Sequence, residues 1–254
     1  MNKNVLDTVQ QLVADVGRSH SSTIYQDFWG IERVFNRLPV MTREVLFGCT
    51  LPERRHKTAR SLVKIVKNET TTFVSEWAYE DVAREEYGVE TKRPMVYLSD
   101  NAESIEKSMW CYERGMVPLI GEVHNEVVAI AMARKYQIDS LITDEISLER
   151  LRPFFEDSHE PLVSISILGP RFQSERMRWV LPYVKNVRLV LSLPETGAFA
   201  QSTLGAEQVF VPLPGCIIEN IGGTLVLSKQ QSLVTPILRY DTSIPSESIN
   251  VQKS

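Results

Sequence analysis

Between Met95 and Leu193 the chain alternates short apolar runs, rich in Val and Ile, with stretches of helical length that begin near Ser or Asn and carry charge on one face. The runs are MVYLS, MVPLI, SLIT, LVSISIL and VRLVLSL, and helices are predicted between them over Ser104–Arg114, Asn125–Tyr136, Ser147–Phe155 and Ser174–Val184. No other feature narrows the fold as much. Parallel strands need connections of about a dozen residues, and a helix makes such a connection while packing its apolar stripe back on the sheet. The fold class expected is α/β, three-layer, with a mainly parallel sheet and crossover helices.

Upstream of this run, Val5, Val9, Leu12, Val13 and Val16 fall at helical spacing and Gly17 supplies a stop. Thr42 with Glu44 opens a short helix, and SLVKIV, Ser61 to Val66, reads as a strand. After Thr203 the text changes to short runs and turns, as in ENIGGTLVLSKQQSLVTPILRY, which predicts a β-rich C-terminal portion. The pattern gives a mainly helical part (1–60), an α/β core (61–200), a β-rich part (201–245) and a polar tail (246–254). There is no internal repeat and no low-complexity linker, so a single domain over 1–254 is expected.

With 28 Lys and Arg against 32 Asp and Glu, the net charge of -4 creates no field that gathers nucleic acid or anionic lipid over the whole surface. The densest basic stretch, ERRHKTAR from Glu53 to Arg60, lacks interleaved aromatics for stacking bases and is expected to be a solvated segment. No segment approaches the roughly twenty apolar residues that span a bilayer. Neither a nucleic-acid nor a membrane partner is expected. Cys49, Cys111 and Cys216 are odd in number and far apart, which suggests neither a disulfide framework nor a structural zinc site. The N-terminus has acids and a helical rhythm, unlike a secretion signal, and a reducing, cytoplasmic location is expected.

In an open parallel sheet, ligands bind beyond the carboxyl ends of the strands, where helix N-termini converge. That rule selects SDNAES, GEVHNE, TDEIS, GPRFQS and PETG, which bring Asp100, Glu103, Glu122, Glu126, Asp144, Glu145 and Glu195 to one edge, with His124 as the one imidazole. Capping and the helix dipole account for acids at helix starts. Glu122, His124 and Glu126 offer oxygen and nitrogen ligands, but EVHNE lacks a metal spacing such as that of HExxH. No GxSxG elbow, Walker loop or GxGxxG follows a predicted strand. Cys111 falls mid-helix among Met and Trp, where a buried thiol is expected rather than a nucleophile. In LSLPETG, Leu191 to Gly197, Pro194 and Gly197 suffice for a turn, and Glu195 is either its solvent-facing acid or a functional carboxylate.

The order of segments carries further information. LPVMTREVL is similar to an LP-x-T-K-x-DL segment; ERGMVPLI and IDSLIT to a GA-x-V-x-P strand and the strand after it; SISILGPRFQSERMRW to a turn followed by a helix beginning Ser-x-x-x-R. LSLPETG falls where YG-x-TE-x-G is expected, and GGTLVLS and TPILRYDTS resemble GELVLT and TP-x-x-RY-x-T. In these segments, from about Leu38 to Ile244, the chain resembles the large N-terminal domain of adenylate-forming enzymes, especially the phenylacetate-CoA ligase group.

The resemblance implies a small carboxylic acid or acyl ligand, ATP and magnesium as cofactors, an acyl-adenylate formed with release of pyrophosphate, and a thiol acceptor. Magnesium makes such chemistry feasible by offsetting phosphate charge as the transition state develops. On the same basis Glu195 takes the place of the motif glutamate, as catalytic residue and magnesium ligand; Thr70 and Thr71 fall in the phosphate loop, and Asp241 lies beside the ribose-binding position. The chain departs from the pattern in three places. KNETTTF lacks the glycines that let backbone amides curl around phosphate. Ile244 stands where a ribose-binding Asp is expected, and an Ile accepts no hydrogen bond. Leu191, Ser192 and Pro194 replace the Tyr, Gly and Thr of YG-x-TE. The small C-terminal lid domain is expected to be absent, which implies a separate lid-bearing chain or an acyl carrier as partner. Two readings stay open: a divergent adenylate-forming ligase-like protein, and a noncatalytic pseudoenzyme serving as an interaction or regulatory module.

Overall fold

The alternating pattern becomes a parallel sheet in which the strands at Pro94–Tyr97, Ser140–Asp144 and Leu162–Gly169 are buried along nearly their whole length. The computed structural model describes residues 3–18, 23–57, 61–67, 72–78, 87, 89, 91–121, 125–157, 160–205, 208–230 and 234–252. They form two compact units, one of Met1–Asp81, Pro194–Phe199 and Phe210–Ser254, the other of Val82–Leu193 and Ala200–Val209.

The first unit opens with helices α1 (Lys3–Val16), α2 (Thr23–Trp29), α3 (Arg43–Gly48) and α4 (Leu51–Arg54). Val9, Val13 and Val16 of α1 are fully buried, as their spacing demands, and the Gly17 amide closes the helix on Val13 O. Thr42 caps α3 by accepting from the Val45 amide at 3.4 Å. Strands β1 (Ser61–Lys67) and β2 (Thr72–Ala78) pair antiparallel. Part of the basic run departs from the solvated segment expected: Arg54 is buried, donating to Val74 O and lying 4.9 Å over the Phe47 ring, and Arg55 pairs with the buried Glu76, while Glu53 and Lys57 are exposed and residues 58–60 lie outside the described residues. The buried charges here, Arg54 and Glu76, each find a partner, as burial requires.

The second unit carries β3 (Pro94–Tyr97), α5 (Asn101–Glu113), β4 (Leu119–Ile120), α6 (Glu126–Lys135), β5 (Ser140–Asp144), α7 (Glu145–Arg150), α8 (Arg152–Glu156), β6 (Leu162–Gly169), α9 (Ser174–Met177) and β7 (Val184–Leu193). Strand pairs β4–β3, β3–β5, β5–β6 and β6–β7 are all parallel. Their register lines up Met95, Leu141, Ile165 and Val187 in one row across the sheet, each buried. Near-continuous burial along β5 and β6 is what helices on both faces require. Boundaries shift from the sequence expectation for definite reasons. Helix α5 starts at Asn101 because Asp100 caps it, and the predicted Ser147–Phe155 helix is two, broken at Leu151 where Pro153 enters the first turn of α8. Past Met177 the chain tightens into a 3-10 helix, Arg178–Tyr183, containing Pro182.

The remaining strands are β8 (Gly197–Thr203), β9 (Val209–Pro212), β10 (Cys216–Ile221), β11 (Thr224–Lys229), β12 (Tyr240–Pro245) and β13 (Asn250–Val251). Strands β10, β11 and β12 form an antiparallel sheet, the β-rich portion read from the sequence, and an eight-stranded sheet has the order β13-β9-β8-β7-β6-β5-β3-β4.

Candidate functional site

The chain leaves β7 through Pro194, Glu195 and Thr196 and enters β8 at Gly197, whose φ of 67° lies in the left-handed region that glycine adopts freely. Three residues between neighbouring strands permit only an antiparallel hairpin, and a left-handed residue at its end is the usual solution. The turn is not exposed. Glu195 is 3% accessible and Thr196 fully buried. Lys229 holds the turn by donating its ammonium to Thr196 O at 2.8 Å and Ala198 O at 3.2 Å.

A carboxylate so deep needs partners, and Glu195 finds two. Its Oε1 accepts from an Arg43 guanidinium nitrogen and from the Tyr240 hydroxyl at 2.9 Å, while Arg43 Nε donates to that same hydroxyl at 3.1 Å. The three side chains close a ring of hydrogen bonds. Its backbone is fixed independently: the Met41 amide donates to Arg239 O at 2.8 Å and the Asp241 amide to Met41 O at 2.9 Å, which sets the start of α3 beside β12. Phe47 meets the Tyr240 ring edge-on at 6.2 Å. Burial and the neighbouring Glu195 charge push the Tyr240 hydroxyl far above the usual tyrosine range, so it stays a donor. Burial opposes the charge of Arg43, but Glu195 and Tyr240 outweigh it and hold the guanidinium above its ordinary value.

Asp241, the neighbour of Tyr240, belongs to the other face of β12, since side chains alternate along a strand. Its carboxylate accepts from the Ser243 amide at 2.8 Å, a local turn in which Ser243 takes a φ of 57°. The structure therefore brings Glu195 together with Arg43 and Tyr240, and Asp241 is occupied in its own turn. Thr70 and Thr71 lie outside the described residues, as do Glu122 and His124. Arg43 and Tyr240 were not singled out from the sequence, although both sit inside segments the resemblance uses, LPVMTREVL and TPILRYDTS.

Elsewhere on the predicted ligand edge two of the acids, Asp100 and Asp144, act as caps. Asp100 accepts from the Glu103 amide at 3.0 Å, and Asp144 accepts from the Ser147 amide at 2.8 Å and from the Ser99 amide. Cys111 is fully buried in α5 and burial drives its thiol up to about 12, which leaves it no nucleophilic role.

No family model matches the sequence, and no curated protein matches it. Solved structures do. An E. coli MenE variant with bound OSB-AMS is 12% identical with a TM-score of 0.54, covering 73% of this chain and 46% of its own. Coronafacic acid ligase from Pectobacterium brasiliense is 14% identical with a TM-score of 0.51, covering 65% of this chain and 38% of its own. Bacillus subtilis MenE, in complex with ATP and magnesium, is 9% identical with a TM-score of 0.52, covering 67% and 41%. The fold is that of the adenylate-forming ligases. At these identities the likeness concerns the fold alone, and this chain spans less than half the length of each of the three.

Magnesium takes near-octahedral oxygen geometry and usually keeps one or two carboxylates plus substrate phosphates. The residues here do not fit it. Both bonds to Glu195 fall on Oε1, one of them from a cation, so that oxygen already holds its counter-charge. Among the described residues no helix is long and apolar enough to cross a membrane.

Proposed function

We propose that this chain is a divergent ligand-binding protein of the adenylate-forming fold, taking a small carboxylic acid or acyl compound and, on the precedent of a neighbour solved with ATP and magnesium, an adenine nucleotide, without completing an adenylation cycle by itself. The observation that carries this reading is the convergence of Arg43, Glu195 and Tyr240. Three segments that resemble separate family motifs meet at one buried ring, yet the ring spends its carboxylate on an internal cation. The charges of Arg43 and Glu195 cancel within the ring, which leaves the Glu195 carboxylate with its counter-charge already in place. Ile244 in place of a ribose-binding acid points the same way.

Isothermal calorimetry of the full chain against aromatic and aliphatic monocarboxylates, AMP, and ATP with and without magnesium tests it. A carboxylate or its adenylate is expected to bind, with no exchange of pyrophosphate into ATP. Carboxylate-dependent exchange by this chain alone, lost in Glu195→Gln, would establish an autonomous ligase instead. Silence across the panel would favour the second reading, a noncatalytic interaction module. One observation supports that alternative: Val63, Ile65 and Val74 on the β1–β2 pair are 58%, 69% and 39% exposed.

A further inference from the structure

We infer that Arg43 takes the place of a divalent cation at Glu195, so that this site works without a metal. The inference deepens the reading just given and rests on it for its functional meaning, but its test uses no ligand. A divalent ion at a buried carboxylate does two things: it supplies the counter-charge that makes burial tolerable, and it fixes the direction of the carboxylate oxygens. Arg43 does both here. Its guanidinium, which stays protonated at any ordinary pH, sits on Oε1, and its Nε holds the Tyr240 hydroxyl that donates to the same oxygen. The Glu195 side chain is 1% exposed and that of Arg43 17%, so the pair is largely withdrawn from water.

The identity of the cation follows from geometry. Two acceptors, a carboxylate oxygen and a phenol oxygen, have to be reached from one side chain along different directions. The planar fork of a guanidinium does this, and a lysine ammonium would do it less well. The fork is also placed by the backbone rather than by the ion pair itself. Arg43 is the first residue of α3, whose cap is Thr42, and Met41 is bonded to Arg239 and Asp241 on either side of Tyr240. A metal entering at Oε1 would have to displace a cation that is anchored at both ends.

Electron paramagnetic resonance of free Mn²⁺ during titration with the full-length protein decides the matter. Wild type and Glu195→Gln are expected to take up Mn²⁺ alike, because Glu195 contributes nothing while Arg43 is in place. Arg43→Ala is expected to gain a Mn²⁺ site that disappears in the double variant Arg43→Ala with Glu195→Gln. A wild-type Mn²⁺ site weakened tenfold or more by Glu195→Gln would overturn the inference, and so would a folded Arg43→Ala protein with no new site. If circular dichroism shows that Arg43→Ala does not fold, the comparison of wild type with Glu195→Gln decides alone. Failure to bind carboxylates or nucleotides would remove the functional reading and leave the Mn²⁺ result standing.

Discussion

Tyr240 and Tyr25 are the residues at which burial reads out most directly as a measurable quantity. Tyr25 is fully buried and donates to Pro236 O at 2.8 Å; burial first, then the proximity of Cys49, raises its pKa well above the ordinary value. Tyr240 is raised by burial and by Glu195. A group whose folded pKa exceeds its unfolded value contributes stability that is complete below the unfolded value, about 10 for tyrosine, and is lost as pH climbs towards the folded one. Of the eight tyrosines, these two are expected to ionise only as the fold opens, in step with the loss of circular dichroism during an alkaline titration. Tyr240→Phe deprives Glu195 of a donor and should cost about 1–3 kcal/mol near neutral pH. Above about pH 10 its stability should fall less steeply than that of wild type, by up to about 1.4 kcal/mol per pH unit. An unchanged slope would mean that Tyr240 is not held as described. Glu195 was legible as a candidate from its place after the last apolar run. Its partners were not, because Arg43 lies 152 residues and Tyr240 45 residues away along the chain, and no local pattern encodes those contacts.

Among the elements, sequence served where the cap stands at the expected helix start, as at Thr42 and Asn125, and less well where Asp100 and Asp144 begin helices ahead of the Ser104 and Ser147 expected. Thr42, Asp100, Asn125 and Asp144 are caps in the structure because a short polar side chain accepts from the amide three residues on, a rule that needs no tertiary information. It failed where two local signals compete: apolar periodicity runs through Leu151 and Met177, but Pro153 and Pro182 break the α-helical pattern. Strand order was not legible at all, since β3 pairs with β5 and β4 by packing rather than by sequence neighbourhood. Asp144 gives the element-level prediction, because its two oxygens serve different partners: one caps α7 through Ser147, the other ties down the Ser99 amide after β3. Asp144→Ala should cost about 2 kcal/mol, a cap plus a second hydrogen bond, and Asp144→Asn distinctly less, since the amide oxygen still caps. Urea unfolding of both variants checks this: an Asp144→Asn protein as stable as wild type would show that the second oxygen is idle, and equal losses for the two variants would show that the cap is.

For the whole molecule, the expectation of one domain rested on the lack of a linker, and indeed none marks the passage between the two units. The chain changes unit at Asp81–Val82, Leu193–Pro194, Phe199–Ala200 and Val209–Phe210, the last three of which fall within or at the edge of strands. Polar, Gly- or Ser-rich stretches are the usual boundary signal, and a chain that returns to a unit repeatedly has no need of them. This arrangement has a consequence for fragments. Residues 1–81 form the largest continuous stretch of the first unit, yet much of what fixes them comes from its C-terminal part. Tyr25 is bonded to Pro236, Met41 to Arg239 and Asp241, and Arg239 donates to Asn36 O at 3.2 Å and to Leu38 O while pairing with Glu219. The described ring at Glu195 likewise draws only Arg43 from this stretch. Removing residues 82–254 would leave those carbonyls and side chains to water and expose Leu38, Met41, Leu46 and Tyr25, each no more than 1% accessible in the intact chain. Their reburial elsewhere in so short a chain would not offset the conformational entropy of ordering it. A fragment of residues 1–81 is therefore expected to show collapsed amide dispersion by NMR and no cooperative thermal transition, with helicity confined to α1. A dispersed spectrum and a sharp melt would mean that the N-terminal part carries its own core, and that the contacts to Pro236, Arg239 and Asp241 decorate this unit rather than build it.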